Sequence, residues 1–161
     1  MSEQFVDVLA VLQAIPGNHL ILLPDSPRFT IAAVTDAYLR VTYTHREDIL
    51  GKGVFEALTD DVENLLATGV ANLSASLHDV VQHKRPHRMA DQRYDVYNAQ
   101  LGRFVYKVWE PVNKPVLTKS GDVQYIIHTV KDVTQRVELQ EENQQTQQKL
   151  AQSESRFREA L

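Results

Sequence analysis

Glycine and proline are confined to the front of this 161-residue chain: all six prolines lie at or before Pro115, and all six glycines at or before Gly121. Tight turns therefore belong to the first three quarters. From Asp122 to Leu161 nothing interrupts the backbone, and the tail can run as one element.

The turn-rich part reads as strands, then helices, then strands. Residues 3–15 place Phe5, Val8, Leu9 and Leu12 at helical spacing, a short amphipathic helix stopped by Pro16-Gly17. Two apolar runs, 19–23 and 29–34, flank Pro24-Asp25-Ser26-Pro27 and predict a hairpin. Asp36 is placed to cap a short helix over 37–41. Thr44 is placed to cap another over 46–50, with Glu47 completing a capping box, until Gly51-Lys52-Gly53 ends it. From Asp60 to about His83, Val62, Leu65, Leu66, Val70, Leu73, Leu77, Val80 and Val81 recur at three- and four-residue steps. That is the longest helix of this part, closed by Arg85-Pro86. Three strands are expected next, at 87–97, 103–112 and 123–130, joined by turns at 98–102 and 119–122. Runs of strands and helices without strict alternation indicate an α+β fold with a five-stranded antiparallel sheet. One face of that sheet is covered by the middle helices, with apolar space between the layers.

Composition narrows the function classes. Hydrophobic residues make up 43% of the chain, enough for one core. The formal net charge of −4 argues against nucleic acid held by a global positive field. Cysteine is absent, which removes disulfides, thiolate metal sites and thiol catalysis and suits a reducing, cytoplasmic setting. No apolar run approaches the roughly 20 residues that span a bilayer, so no membrane contact is expected. The N-terminus carries Glu3 and no basic segment, unlike a signal peptide.

The tail, 134–161, is rich in Gln, Glu, Lys, Arg, Leu and Ala, all good helix formers, with Thr134 as its expected N-cap. A heptad frame puts Asn143, Leu150 and Phe157 at a, and Leu139, Thr146, Ser153 and Ala160 at d. Only some of these are apolar. A polar helix of this length needs a partner, and a parallel homodimer is expected, with the N-terminal helix as a second contact. The helical pattern reaches Leu161 without a stop signal, so the chain is expected to lead into a further domain.

These elements, in this order, resemble a PAS domain. Arg46-Glu47-Asp48-Ile49-Leu50-Gly51-Lys52 is similar to a segment that recurs in the family, and Lys131-Asp132-Val133-Thr134 to the element joining the last PAS strand to the exit helix. Residues 153–161 resemble the opening of a second PAS unit. The resemblance implies a cap helix at 1–17, a sensor domain at 18–133 and a signalling helix at 134–161. It also implies a place in a bacterial sensor histidine kinase, with the downstream kinase domain in the same chain. This chain itself is expected to be non-catalytic: Gly51-Lys52-Gly53 is too short to cradle phosphates. In such a domain a ligand sits between sheet and helices. Tyr38, Phe55, Leu73, Leu77, Met89, Tyr94, Tyr106, Trp109 and His128 are candidates to line that pocket, although the alternation around His128 leaves its face open. Asp132 and Thr134 are the candidate relay at the strand-to-helix junction.

Two cofactors compete with an empty or ligand-free pocket. Haem needs an axial ligand on the pocket wall, and His78, with Leu73, Leu77 and Val81 around it, is the candidate. His78-Asp79 as a phospho-acceptor pair is the weaker reading, and His83 and His87 sit in a basic helix end that suits solvent. Flavin held through a cysteine adduct is excluded, whereas non-covalent flavin is not. The alternatives to a ligand sensor are a ligand-free dimerisation module and a haem-based sensor.

Overall fold

A computed structural model describes residues 6–58 and 67–160. Phe5, Val62, Leu65 and Leu66, assigned to helices from their spacing, lie outside the described residues.

The chain opens with α1 (Val8–Ala14), capped by the Asp7 carboxylate, which accepts the Ala10 N–H at 3.1 Å. Of the apolar face expected there, only Leu12 is buried, while Val8, Leu9 and Val11 are exposed. β1 (Asn18–Leu22) and β2 (Ile31–Val34) form the predicted hairpin around Pro24 and Pro27. Three short helices follow: α2 (Asp36–Thr42), α3 (Arg46–Ile49) and α4 (Val54–Ala57). Their caps differ from expectation. Thr35, not Asp36, caps α2, its hydroxyl accepting the Tyr38 N–H at 3.4 Å; Asp36 instead holds Arg46 at 2.7 Å. The N-cap of α3 is His45, without a side-chain bond, and Thr44 spends its hydroxyl on Thr42 at 2.8 Å. Both misplaced caps lie one residue from the real ones, the ordinary uncertainty of a helix end.

α5 (Ala67–His83) is described from Ala67, and it buries Leu73, Ser76, Leu77 and Val80 against the sheet. The first of the three expected strands is broken into β3 (His87–Arg88), β4 (Gln92–Arg93) and β5 (Val96–Asn98). The second divides into β6 (Arg103–Val105) and β7 (Val108–Leu117), and β8 (Val123–Asp132) is the third. The main sheet is antiparallel in the order β2-β1-β8-β7-β3, with β4 also on β7; β5 and β6 pair separately.

β7 runs five residues beyond its expected end at Val112, through Pro111 and Pro115. Proline removes a ladder donor and is tolerated where that donor would face no partner. The Pro111 carbonyl accepts the Met89 N–H at 3.0 Å, so the Pro111 nitrogen also faces the edge strand, at its break between Arg88 and Gln92. Pro115 lies two residues past His87↔Asn113, where the edge strand has ended. The break and the prolines therefore accommodate one another.

α6 (Thr134–Ala160) leaves the end of β8 as 27 unbroken residues, about 40 Å long. From Glu138 to Ala160 every residue is exposed. Among the described residues, no helix is long and apolar enough to cross a membrane.

Candidate functional site

Alternation along β8 aims Ile126, His128 and Val130 at the helices, which settles the face of His128. Trp109, Pro111 and Asn113 point the same way from β7, as do Leu20 and Leu22 from β1. Between this wall and the helices lies a cavity of about 430 Å³. Of the nine candidate lining residues, Tyr38, Leu73, Met89, Tyr94, Trp109 and His128 line it. The other three lie elsewhere. Leu77 is fully buried in the core, and Phe55 packs edge-on against Phe29 at 6.4 Å between centroids. Tyr106 lies under the Arg93 guanidinium at 4.8 Å. The cavity's inner wall is mainly apolar, with Ile31, Ile49 and Val54 among its buried members. The Trp109 indole N–H is spent on the Tyr94 carbonyl at 2.8 Å, and the Tyr94 hydroxyl on the Leu58 carbonyl.

Behind the wall runs a polar chain that the sequence did not reveal. His128 Nδ1 lies 2.6 Å from Asn113 Oδ1, Asn113 Nδ2 donates to Ser76 Oγ at 2.8 Å, and Ser76 Oγ lies 2.6 Å from His87 Nδ1. The chain crosses from β8 through β7 to α5 and reaches the half-buried His87 on the edge strand. Asn113 and Ser76 are almost fully enclosed, and a buried amide or hydroxyl without partners would be costly, so each fixes the other. Burial pushes the His128 imidazole down to about pH 4, from 6.5, and keeps it neutral.

His78 does not line the cavity. It is exposed on α5, with Nε2 at 2.7 Å from Ser26 Oγ and Nδ1 at 2.7 Å from the Ser74 carbonyl. The expected axial ligand for haem is therefore on the wrong side of its helix. Among the described residues, no three His, Asp or Glu side chains gather to hold a metal ion.

At the root of α6, Asp132 Oδ1 accepts the Thr134 N–H at 3.0 Å and its hydroxyl at 2.6 Å, while Oδ2 accepts Lys107 Nζ at 2.7 Å. Burial raises the Asp132 carboxyl, but these hydrogen bonds and the Lys107 charge outweigh it and hold the group below its usual range. Thr134 is not the N-cap expected of it. It is the first helical residue, and its hydroxyl accepts the Val108 N–H at 3.0 Å, while Val133 starts the helical ladder by accepting from Val137. The capping carboxylate is Asp132. A second tie had no signal in the sequence: Arg136 bonds Asp91 at 3.0 Å and lies 3.5 Å from Glu110.

No protein-family model matches the chain, and no curated protein does. Among solved structures it is similar to a LOV protein of Rhodobacter sphaeroides, at 17% identity and TM-score 0.57, over 78% of this chain and 64% of that one. It is also similar to the PAS domain of the fruit-fly ELK potassium channel, at 14% identity and TM-score 0.55, over 82% and 99%. A third is an RNA-binding light-oxygen-voltage receptor, at 16% identity and TM-score 0.58, over 94% and 40%. The match to the Rhodobacter protein thus spans less than two thirds of that protein's own chain. With its antiparallel five-strand sheet, helices on one face and a long C-terminal helix, the chain has the α+β PAS fold.

Proposed function

We propose that the chain is a sensory module that turns occupancy of its cavity into a movement of α6, and that a parallel α6 dimer carries the change to a histidine kinase domain of the same polypeptide in the cytoplasm. One observation carries this reading: the cavity wall and the root of α6 are the same stretches of chain. Met89 and Gln92 line the cavity and flank Asp91, which holds Arg136. Trp109 and Val130 line it too, one residue from Val108 and two from Asp132, which hold Thr134. A ligand that parts sheet from helices therefore pulls on both ties, and a helix pair with discrete packings can register the pull. One structural neighbour is named a light-oxygen-voltage receptor, and sensing is the part of that description carried over here. A dimerisation module with its core filled by its own side chains has the cavity against it.

The test uses spin labels on Gln147 of each protomer. A compound that raises the melting temperature by binding the cavity should shift the inter-label distance. The joint substitution Asp132→Ala and Arg136→Ala should abolish that shift while leaving binding intact. Binding without any change in α6 overturns the relay. An output domain other than a histidine kinase, such as a nucleotide cyclase, overturns the kinase part. A Soret band after reconstitution with haemin would move the assignment to a haem sensor.

A further inference from the structure

The polar chain behind the cavity dictates which atom His128 offers to a ligand. Asn113 Nδ2 lies 3.6 Å from Met89 Sδ and 2.8 Å from Ser76 Oγ. A thioether sulfur only accepts, so the amide nitrogen must face it, and the carbonyl oxygen must face His128. That oxygen in turn only accepts, so His128 carries its hydrogen on Nδ1. The imidazole is neutral, because burial opposes its charged form. Its Nε2 is therefore a bare lone pair. Among the buried residues of the cavity wall, two hydrogen-bonding groups have no partner among the described residues: His128 Nε2 and the Tyr38 hydroxyl, on residues 95% and 93% buried. No unpartnered side-chain nitrogen or oxygen among those residues is sealed from open space, so the opening of both groups is toward the cavity they line. The one buried charge on this wall is already matched: Asp95 takes the Arg93 guanidinium at 3.1 and 3.2 Å and the Lys107 N–H at 3.2 Å.

We infer that the cavity selects a neutral, mainly apolar molecule that donates one N–H or O–H hydrogen bond to His128 Nε2. The inference rests on reading the cavity as a ligand site. The apolar wall supplies most of the contact, and the lone pair supplies the discrimination. A donor-free isostere leaves Nε2 desolvated without a partner, and a charged analogue must lose its hydration against an inner wall whose one buried charge, Asp95, is already matched; the charged lining residues Asp48 and Lys52 stand exposed at the rim. Asn113 is the positioning residue, acting through the tautomer it imposes.

Indole and benzofuran test this. They share shape and size, but indole has an N–H where benzofuran has an oxygen. By calorimetry on the whole chain, indole should bind about tenfold more tightly, and indole-3-acetate at pH 7 more weakly than indole. In His128→Leu the preference for indole over benzofuran should vanish. Nitrogen NMR of the wild-type imidazole needs no variant: Nδ1 should be protonated and Nε2 bare, with the Nε2 resonance moving when indole binds. Equal affinities for indole and benzofuran, or an Nε2–H tautomer, overturn the inference and leave the cavity reading intact. No binding of either probe overturns both.

Discussion

His128 sits between Ile126 and Val130 on the inner side of β8, and burying an imidazole there makes stability depend on pH. Folding lowers its pKa to about 4 from 6.5. As pH falls through 6.5 the unfolded chain takes up a proton that the folded chain refuses, so stability declines from about 6.5 down to about 4 and then levels off. At about 1.4 kcal/mol per pH unit, this group alone removes about 3 kcal/mol across that window. Urea denaturation from pH 7 to 4 should show His128→Leu starting less stable, because Asn113 Oδ1 loses its donor, but with a shallower slope. Parallel slopes would mean that His128 charges freely in the folded state. The residue's position was legible in the sequence as a strand residue, but its face was not. Alternation failed because Tyr125, Ile127 and Thr129 on the other face are half-buried as well, so both parities look apolar. The partners were illegible for a different reason. Ser76, Asn113 and His87 are each unremarkable in their own segment, and only folding across 37 and 11 residues joins them.

At the scale of elements, the positions of glycine and proline located the hairpin, the turns and the unbroken tail, because those residues act on the backbone locally. They did not locate the end of β7, which was expected at Val112 and instead runs on through Pro115 to Leu117. Whether proline ends a strand depends on what its missing donor would have faced, which is tertiary information. The junction into α6 was half legible: Asp132 and Thr134 stand out as a cap, while Lys107 and Val108, which complete it, come from another strand. Asp132→Ala removes the acceptor of three hydrogen bonds, two of them at the start of α6. It should cost about 1–3 kcal/mol. The sign with pH follows from the lowered carboxyl: the stabilisation is present above the usual value of 3.8 and is lost as pH falls through the folded pKa. The gap between wild type and Asp132→Ala should therefore narrow in acid. A gap that stays constant to pH 2 would assign the loss to packing instead.

For the molecule as a whole, both α1 and α6 leave apolar surface uncovered. α6 has no buried residue, and Leu139, Leu150 and Phe157 stand more than half exposed along it. α1 adds Val8, Leu9 and Val11, with only Leu12 turned inward. A helix as polar as α6 gains little from propensity alone, and the proposed parallel pair is what would support it over about 40 Å. Three large apolar side chains per helix are few for a two-stranded coil, and Asn143 at an a position sets register at a further cost. The pairing should therefore be weak, with dissociation in roughly the micromolar range, and α1 has apolar surface to add to it. Leu150→Lys combined with Phe157→Lys places four added charges along one dimer seam. Sedimentation equilibrium should show association weakened by more than tenfold, and removal of residues 139–161 should do the same. The melting temperature of the sheet-and-helix body should hardly move, because the described residues from Glu138 to Ala160 are all exposed. Two other results would each count against the parallel pair: a wild-type chain that stays monomeric at every workable concentration, or a double variant that associates as tightly as wild type. The second would move the interface to α1, where Leu9→Lys would then be the substitution that separates the protomers.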